Sequence, residues 1–101
     1  MRTYLFVHVI SRKKLRDAAE RHAEISSSLD AWYRLAKRAE WRSLADVWLL
    51  FPSADAVGRF TVFNIKGNSY RLVTEVNYRG GRLYIRHVLT HAEYDKGGWK
   101  L

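Results

Sequence analysis

Apolar and polar positions change period about halfway along the chain. Thr3–Ile10 (TYLFVHVI) is rich in β-branched and aromatic residues and predicts a strand. Ser11 stands at an N-cap position, and Leu15, Ala18, Ala19 and His22 share one face of a helix expected over Arg12–Ala23. Arg12, Lys13, Arg16 and Glu20 fill the rest of that helix. Ser26, Ser27 and Ser28 read as a polar break and a second cap. Leu29, Trp32, Tyr33, Ala36 and Ala39 repeat at spacings of three and four, predicting a helix over Leu29–Arg42. Ser43–Leu50 predicts a further helical turn, which Phe51-Pro52 ends.

Beyond Pro52 the helical period gives way to alternation. Arg59–Ile65, Ser69–Tyr78 and Leu83–Leu89 predict three strands, separated by the turns Lys66-Gly67-Asn68 and Arg79-Gly80-Gly81-Arg82. Thr90 is expected to cap a short final helical turn. The order is strand, two helices, a helical turn, then three strands. It predicts an α+β domain spanning residues 1–101: a small antiparallel sheet with an N-terminal helical hairpin on one face. In the middle strand Tyr70, Leu72, Thr74 and Val76 form the better core face, which leaves Arg71, Val73, Glu75 and Asn77 on an open face. By the same alternation Val62, Asn64 and Lys66 share a face, and so do Tyr84, Arg86 and Val88. His87 groups with Leu83, Ile85 and Leu89 as a partly buried structural histidine. Phe60, Phe63, Trp32, Trp41 and Trp48 are expected in the core, and Trp99 is expected to be loose.

Charge narrows the function classes. Eighteen Lys and Arg against ten Asp and Glu leave a net charge of +8, divided equally between residues 1–59 and 60–101. Such a balance favours a polyanionic partner, most often nucleic acid. There is no cysteine, so disulfides, thiolate metal sites and Cys nucleophiles are excluded. No apolar run approaches the length of a membrane span, and the N-terminus carries no cleavage-site pattern, so a cytoplasmic protein without membrane contact is expected.

Candidate chemistry concentrates near the end of the chain. Arg86, His87, His91, Glu93, Tyr94 and Asp95 fall within ten residues. Proton transfer near neutral pH favours His91, with Tyr94 or a carboxylate as partner. His8 and His22 read as ordinary packing or surface histidines. The four histidines offer a single local pair, His87 and His91, which straddles a strand and a cap, so no metal is expected. The two glycine turns lack the pattern of a phosphate cradle. Cations on an open sheet face beside Tyr84 and Tyr94 suit a single strand, whose phosphates they hold while the rings stack on bases.

The segments Phe51-Pro52-Ser53, Val62–Asn68, Arg71-Leu72-Val73 and above all Tyr84–Asp95 (YIRHVLTHAEYD) resemble the HigB toxin family, within the RelE-like messenger-RNA interferases. The helical hairpin, with Leu15, Asp17 and Ala18-Ala19-Glu20, extends the resemblance over nearly the whole chain. The resemblance implies a fold like that of microbial ribonucleases and endonucleolytic cleavage of messenger RNA on the translating 70S ribosome. It also implies a helix-turn-helix antitoxin of the HigA kind, with operator DNA reached only through that antitoxin. Arg71 matches the phosphate-binding strand arginine, while His91 and Tyr94 fall near another catalytic position. Val62 and Asn64 stand where RelE carries lysines, and Lys66 is the nearest lysine that remains. The expected reaction is attack by the RNA's 2′-hydroxyl, without metal or other cofactor. His91 would transfer protons, Arg71 would hold the phosphorane, and Tyr94 would stack or relay a proton. Asp95 would orient His91, and Lys66, Asn64, Arg86 and Tyr84 would bind RNA. The other class open to this sequence is a non-catalytic module binding nucleic acid or a partner on the same fold.

Overall fold

The architecture is that of a computed structural model, which describes residues 6–100. In chain order it comprises β1 (His8–Ile10), α1 (Arg12–Arg21), a 3-10 turn (Ala23–Ile25), α2 (Ser26–Ala36), α3 (Leu44–Leu50), β2 (Asp55–Val57), β3 (Phe60–Ile65), β4 (Tyr70–Asn77), β5 (Arg82–Thr90), α4 (His91–Lys96) and a last 3-10 turn (Gly98–Lys100). The strands make one sheet in the order β1-β5-β4-β3-β2. The α+β class and the helical hairpin agree with the sequence pattern. The sheet, however, is not wholly antiparallel: β1 runs parallel to β5, with Ile10 opposite Tyr84. A parallel pair needs a long crossover, and the intervening helices and strands provide it.

Several boundaries move for local reasons. The serines expected to break the chain lie inside α2, because fully buried Ile25 anchors the preceding 3-10 turn and lets the helix start at once. That helix ends at Ala36 rather than Arg42, since the Ala39 carbonyl accepts the Val7 N–H at 2.9 Å and draws the chain across to the start of β1. β2 was not anticipated; three residues following a proline turn carry too little alternation to read. The part of the expected first strand before residue 6 lies outside the described residues.

Two apolar clusters sandwich the sheet. The larger lies under α1, α2 and α3 and includes Leu15, Leu29, Trp32, Trp41, Phe63, Leu72, Leu83 and Ile85. Trp41 stacks on Phe63 at 6.1 Å, and Trp32 meets the same ring edge-on at 5.3 Å. Trp48 does not join them: it is 46% exposed, with its indole N–H donating to the Ala54 carbonyl. The second cluster covers the other face and gathers Phe60, Val62, Val73 and Trp99. Val73, expected on an open face, is therefore fully buried. Trp99, expected to be loose, is 7% exposed, stacked on Tyr94 at 4.9 Å and edge-on to Phe60 at 5.4 Å. Gly97 makes this return possible, because at φ 78° it ends α4 in the left-handed region and turns the chain back onto the sheet.

A bulge divides β5 into two phases. Thr74 pairs with Ile85, but Val73 pairs with His87, so Arg86 is an extra residue. The expected grouping of Tyr84, Arg86 and Val88 on one face is thereby overturned, as is that of His87 with Leu83 and Ile85. Leu83, Ile85 and Val88 all enter the larger core, while Leu89 packs with the second cluster.

Trp99→Ala should destabilise the fold by about 3 kcal/mol, in the range for deleting a buried large aromatic. Urea unfolding followed by circular dichroism measures this, and a loss under about 0.5 kcal/mol would mark Trp99 as a surface residue.

Candidate active site

The turn between β3 and β4 prepares the first half of the site. Lys66 and Gly67 both adopt positive φ, 51° and 64°, which folds the chain tightly and brings Asn68 back over the start of β4. There it grips Arg71. Nη1 donates to the Asn68 carbonyl at 2.9 Å, and Nη2 donates to Asn68 Oδ1 at 2.5 Å. Arg71 lies on the face opposite the larger core, half-buried beside the second apolar cluster. Its position across the sheet is fixed by strand register, between Asn64 of β3 and Leu89 of β5.

The second half is α4. Thr90 Oγ1 accepts the Glu93 N–H at 3.2 Å, and Glu93 Oε1 accepts the Thr90 N–H at 2.9 Å, a reciprocal cap that sets where the helix begins. The backbone bond from Thr90 is the chief reason the Glu93 carboxyl sits below its ordinary value. The His91 N–H donates to the Ser69 carbonyl at 3.0 Å, which ties α4 to the same turn that carries Asn68. The His91 ring then lies between two partners: Nδ1 is 3.2 Å from Arg71 Nη2, and Nε2 is 3.0 Å from Asp95 Oδ2. Arg71 can only donate, so Nδ1 is the acceptor there; the network thus assigns the neutral ring's proton to Nε2, aimed at Asp95.

Tyr94 closes the cluster. Its ring centroid is 5.3 Å from the Arg71 guanidinium carbon, and Trp99 lies nearly parallel to it, tilted 15°. Burial is the first cause pushing the Tyr94 hydroxyl above its ordinary value, with Asp55 and Asp95 adding to it and Arg71 opposing. Tyr94 is therefore a protonated donor at neutral pH.

Four of the residues expected at the site, Arg71, His91, Tyr94 and Asp95, come together. Asn64 joins them as the exposed cross-strand neighbour of Arg71. Arg86 and Tyr84 do not join them. Arg86 Nε bonds Glu75 at 3.0 Å and its guanidinium lies over the Tyr84 ring at 4.9 Å, while Arg59 meets the same carboxylate at 3.3 Å. Glu75 is four residues from Arg71 along β4, about 13 Å at strand rise. Lys66 is exposed in the turn, and its charge acts on Glu24. Sequence reasoning missed Asn68, Ser69 and Trp99, although an Asn three residues before a strand Arg, in a turn with glycine, was a usable signal. It also missed the role of His22. The Tyr70 hydroxyl donates to Glu24 and contacts His22 Nδ1 at 3.2 Å, which fastens the start of β4 to the turn after α1. Among the described residues no group of three or more His, Asp or Glu side chains is placed to hold a metal ion.

A family model for HigB toxins, the RelE-like toxic component of a toxin–antitoxin system, matches residues 25–97. The mRNA interferase toxin HigB of Escherichia coli strain K12 is 34% identical over 92 residues, covering 88% of each chain. The mRNA interferase HigB of Shigella flexneri matches to the same extent, and that of Escherichia coli O6:H1 is 26% identical over 93 residues.

Stability should register the α4 cap through pH. The folded Glu93 carboxyl titrates below its ordinary value of 4.5, so its contribution is complete above that value and is lost as pH falls through the lower folded one. Glu93→Gln should flatten the acid side of a stability–pH curve measured by thermal unfolding between pH 3 and 7, and a variant with the unchanged wild-type slope would refute this assignment.

Proposed function

Since the chain belongs to the family of HigB toxins, RelE-like toxic components of toxin–antitoxin systems, we propose that Arg71, His91 and Tyr94 carry out its chemistry, the endonucleolytic cleavage of messenger RNA. The observation that supports this assignment is the chain of contacts Asp95–His91–Arg71 beside Tyr94, next to the exposed Asn64. Cleavage by the RNA's own 2′-hydroxyl needs three things: a group to take its proton, a group to protonate the departing 5′-oxygen, and a cation at the phosphorus as charge builds. The 2′-oxygen bonds to phosphorus, the P–O5′ bond breaks, and the products are a 2′,3′-cyclic phosphate and a 5′-hydroxyl. Arg71 holds the non-bridging oxygens. His91 exchanges a proton through Nδ1, the nitrogen that faces Arg71, while Asp95 fixes the ring through Nε2. Tyr94 donates through its hydroxyl, its ring being held between Trp99 and the Arg71 guanidinium.

Asn64 extends the phosphate track from Arg71 along the sheet, and Lys66 borders it at the turn. Arg86 and Tyr84 bind more distant nucleotides. The natural setting of the reaction is messenger RNA on the 70S ribosome in the cytoplasm. Neutralisation comes from a helix-turn-helix antitoxin of the HigA kind, which also mediates contact with operator DNA.

Arg71→Ala should relieve growth arrest in cells expressing the chain alone and lower cleavage by about 10²–10³, the loss typical for one donor to a developing oxyanion. His91→Gln keeps hydrogen-bonding capacity but cannot titrate, and single-turnover cleavage at saturating ribosome should fall by about 10²–10⁴. An unchanged saturated rate would end the case for His91 as acid or base, and a folded wild type that binds RNA without cutting it would leave a binding module.

Elemental analysis of purified, active protein should find no stoichiometric metal, because the 2′-hydroxyl route draws on side chains alone. Zinc or manganese at one per chain would contradict it.

A further inference from the structure

β1 accompanies β5 only as far as Tyr84. Beyond that point, among the described residues, no strand pairs with the outer edge of β5, which faces α1 across a groove of about 470 Å³. Lys14, Asp17 and Arg21 line it from α1, His87 and Leu89 from β5, and Glu93 from α4. The bulge at Arg86 helps to form it, since the phase change turns His87 away from the larger core. The groove lies close to the site across β5: Leu89 is the cross-strand neighbour of Arg71, and Glu93 is two residues from His91.

The two carboxylates in the groove are already engaged. Asp17 pairs with Lys13 at 3.3 Å, and Glu93 closes the α4 cap. The cations are less committed. Lys14 Nζ donates to the Arg86 carbonyl at 3.3 Å, a long bond to a neutral acceptor, and Arg21 is exposed with no hydrogen-bond partner among the described residues. Two titratable groups sense the resulting field. Burial, then the charges of Lys14 and Arg86, hold His87 below its ordinary value; at Glu93 the charges of His22 and Arg21 act in the same direction, behind the cap bonds. Lys14 and Arg21 stand seven residues apart on α1, about 10 Å along one helical face, which gives room for more than one phosphate.

We propose that this groove is a second subsite for a ribose-phosphate backbone, with Lys14 and Arg21 holding phosphates beyond the one that Arg71 holds. The inference rests on the reading of the chain as a ribonuclease and adds to it a track for the strand leaving the site. The chemistry fits the message itself or ribosomal RNA, and the two sources are separable.

The test compares wild type, Lys14→Gln/Arg21→Gln and a control of equal charge loss in the turn after α2, Lys37→Gln/Arg38→Gln, each checked for folding by circular dichroism. The probes are a ten-nucleotide single-stranded RNA made uncleavable by 2′-O-methylation, and vacant 70S ribosomes. Loss of two phosphate contacts should weaken binding about tenfold or more beyond the control and lower the slope of log K against log salt by about 1.4. Loss on the oligonucleotide assigns the groove to the message, and loss on ribosomes alone assigns it to ribosomal RNA. In wild type, the His87 ring followed by NMR should keep its proton to higher pH when the oligonucleotide is bound. If wild type binds and the double variant matches the control on both probes, the groove proposal is overturned while the function stands. If wild type binds neither probe, both readings fall.

Discussion

The single extra residue in β5 governs the arrangement of the site. Strand side chains alternate with a period of two, so inserting Arg86 opposite the Val73/Thr74 step reverses the facing of everything after it. Before the bulge β5 sends Leu83 and Ile85 into the larger core; after it, Val88 takes over that role and Leu89 turns to the other face, beside Arg71. Thr90 then falls opposite Tyr70, so α4 begins level with the start of β4 and the turn that precedes it. A regular β5 would end with the opposite facing, and the His91 backbone would not meet the Ser69 carbonyl as it does.

Two segments about twenty residues apart are thereby locked together by short polar contacts and one apolar cover. The turn at 66–69 contributes both of its last residues: Asn68 holds the Arg71 side chain and Ser69 holds the His91 backbone. Trp99 covers the junction, packing on Phe60 and Tyr94 while its indole N–H donates to the Tyr94 carbonyl at 2.8 Å. The second cluster thus supports α4, a helix of six residues with no buried residue of its own. So short a helix has little stability in isolation, so its cap and this cover carry it.

Much of this arrangement was legible from local pattern. The alternation in β4 put Arg71 opposite the larger core, the Thr90 cap was readable, and His91 and Asp95 stand four apart, within reach on one helical turn. What was not legible depends on partners distant in sequence. The bulge is defined only against β4, so Arg86 and Tyr84 were grouped by an alternation that the strand does not keep. Trp99 near the chain end resembled a loose terminal aromatic, and nothing in the sequence told that Gly97 would turn it back onto Val73. Trp48 shows the converse case: a large aromatic was expected in the core, yet Val47 takes the buried position on α3 and leaves Trp48 at the surface.

The resting contacts of Arg71 also bear on how the proposed reaction would start. Its oxygen acceptors, the Asn68 carbonyl and amide oxygens and the Tyr70 carbonyl, are all uncharged. A phosphodiester oxygen is anionic, so it adds to the hydrogen bond a Coulomb attraction for the guanidinium that a neutral acceptor does not offer. Guanidinium geometry lets Arg71 keep one hold on Asn68 while turning Nη2 to the phosphate. The contacts then given up would be those of Nη2 to Asn68 Oδ1 and to His91 Nδ1, so binding of the substrate itself would free the nitrogen proposed for proton transfer. Asp95 holds the other side of the ring throughout, which keeps the imidazole aimed while its free nitrogen changes partner. Arrival of the phosphate and release of the base would be the same event, and that coupling follows from placing a strand arginine and a helix-start histidine on opposite sides of one turn.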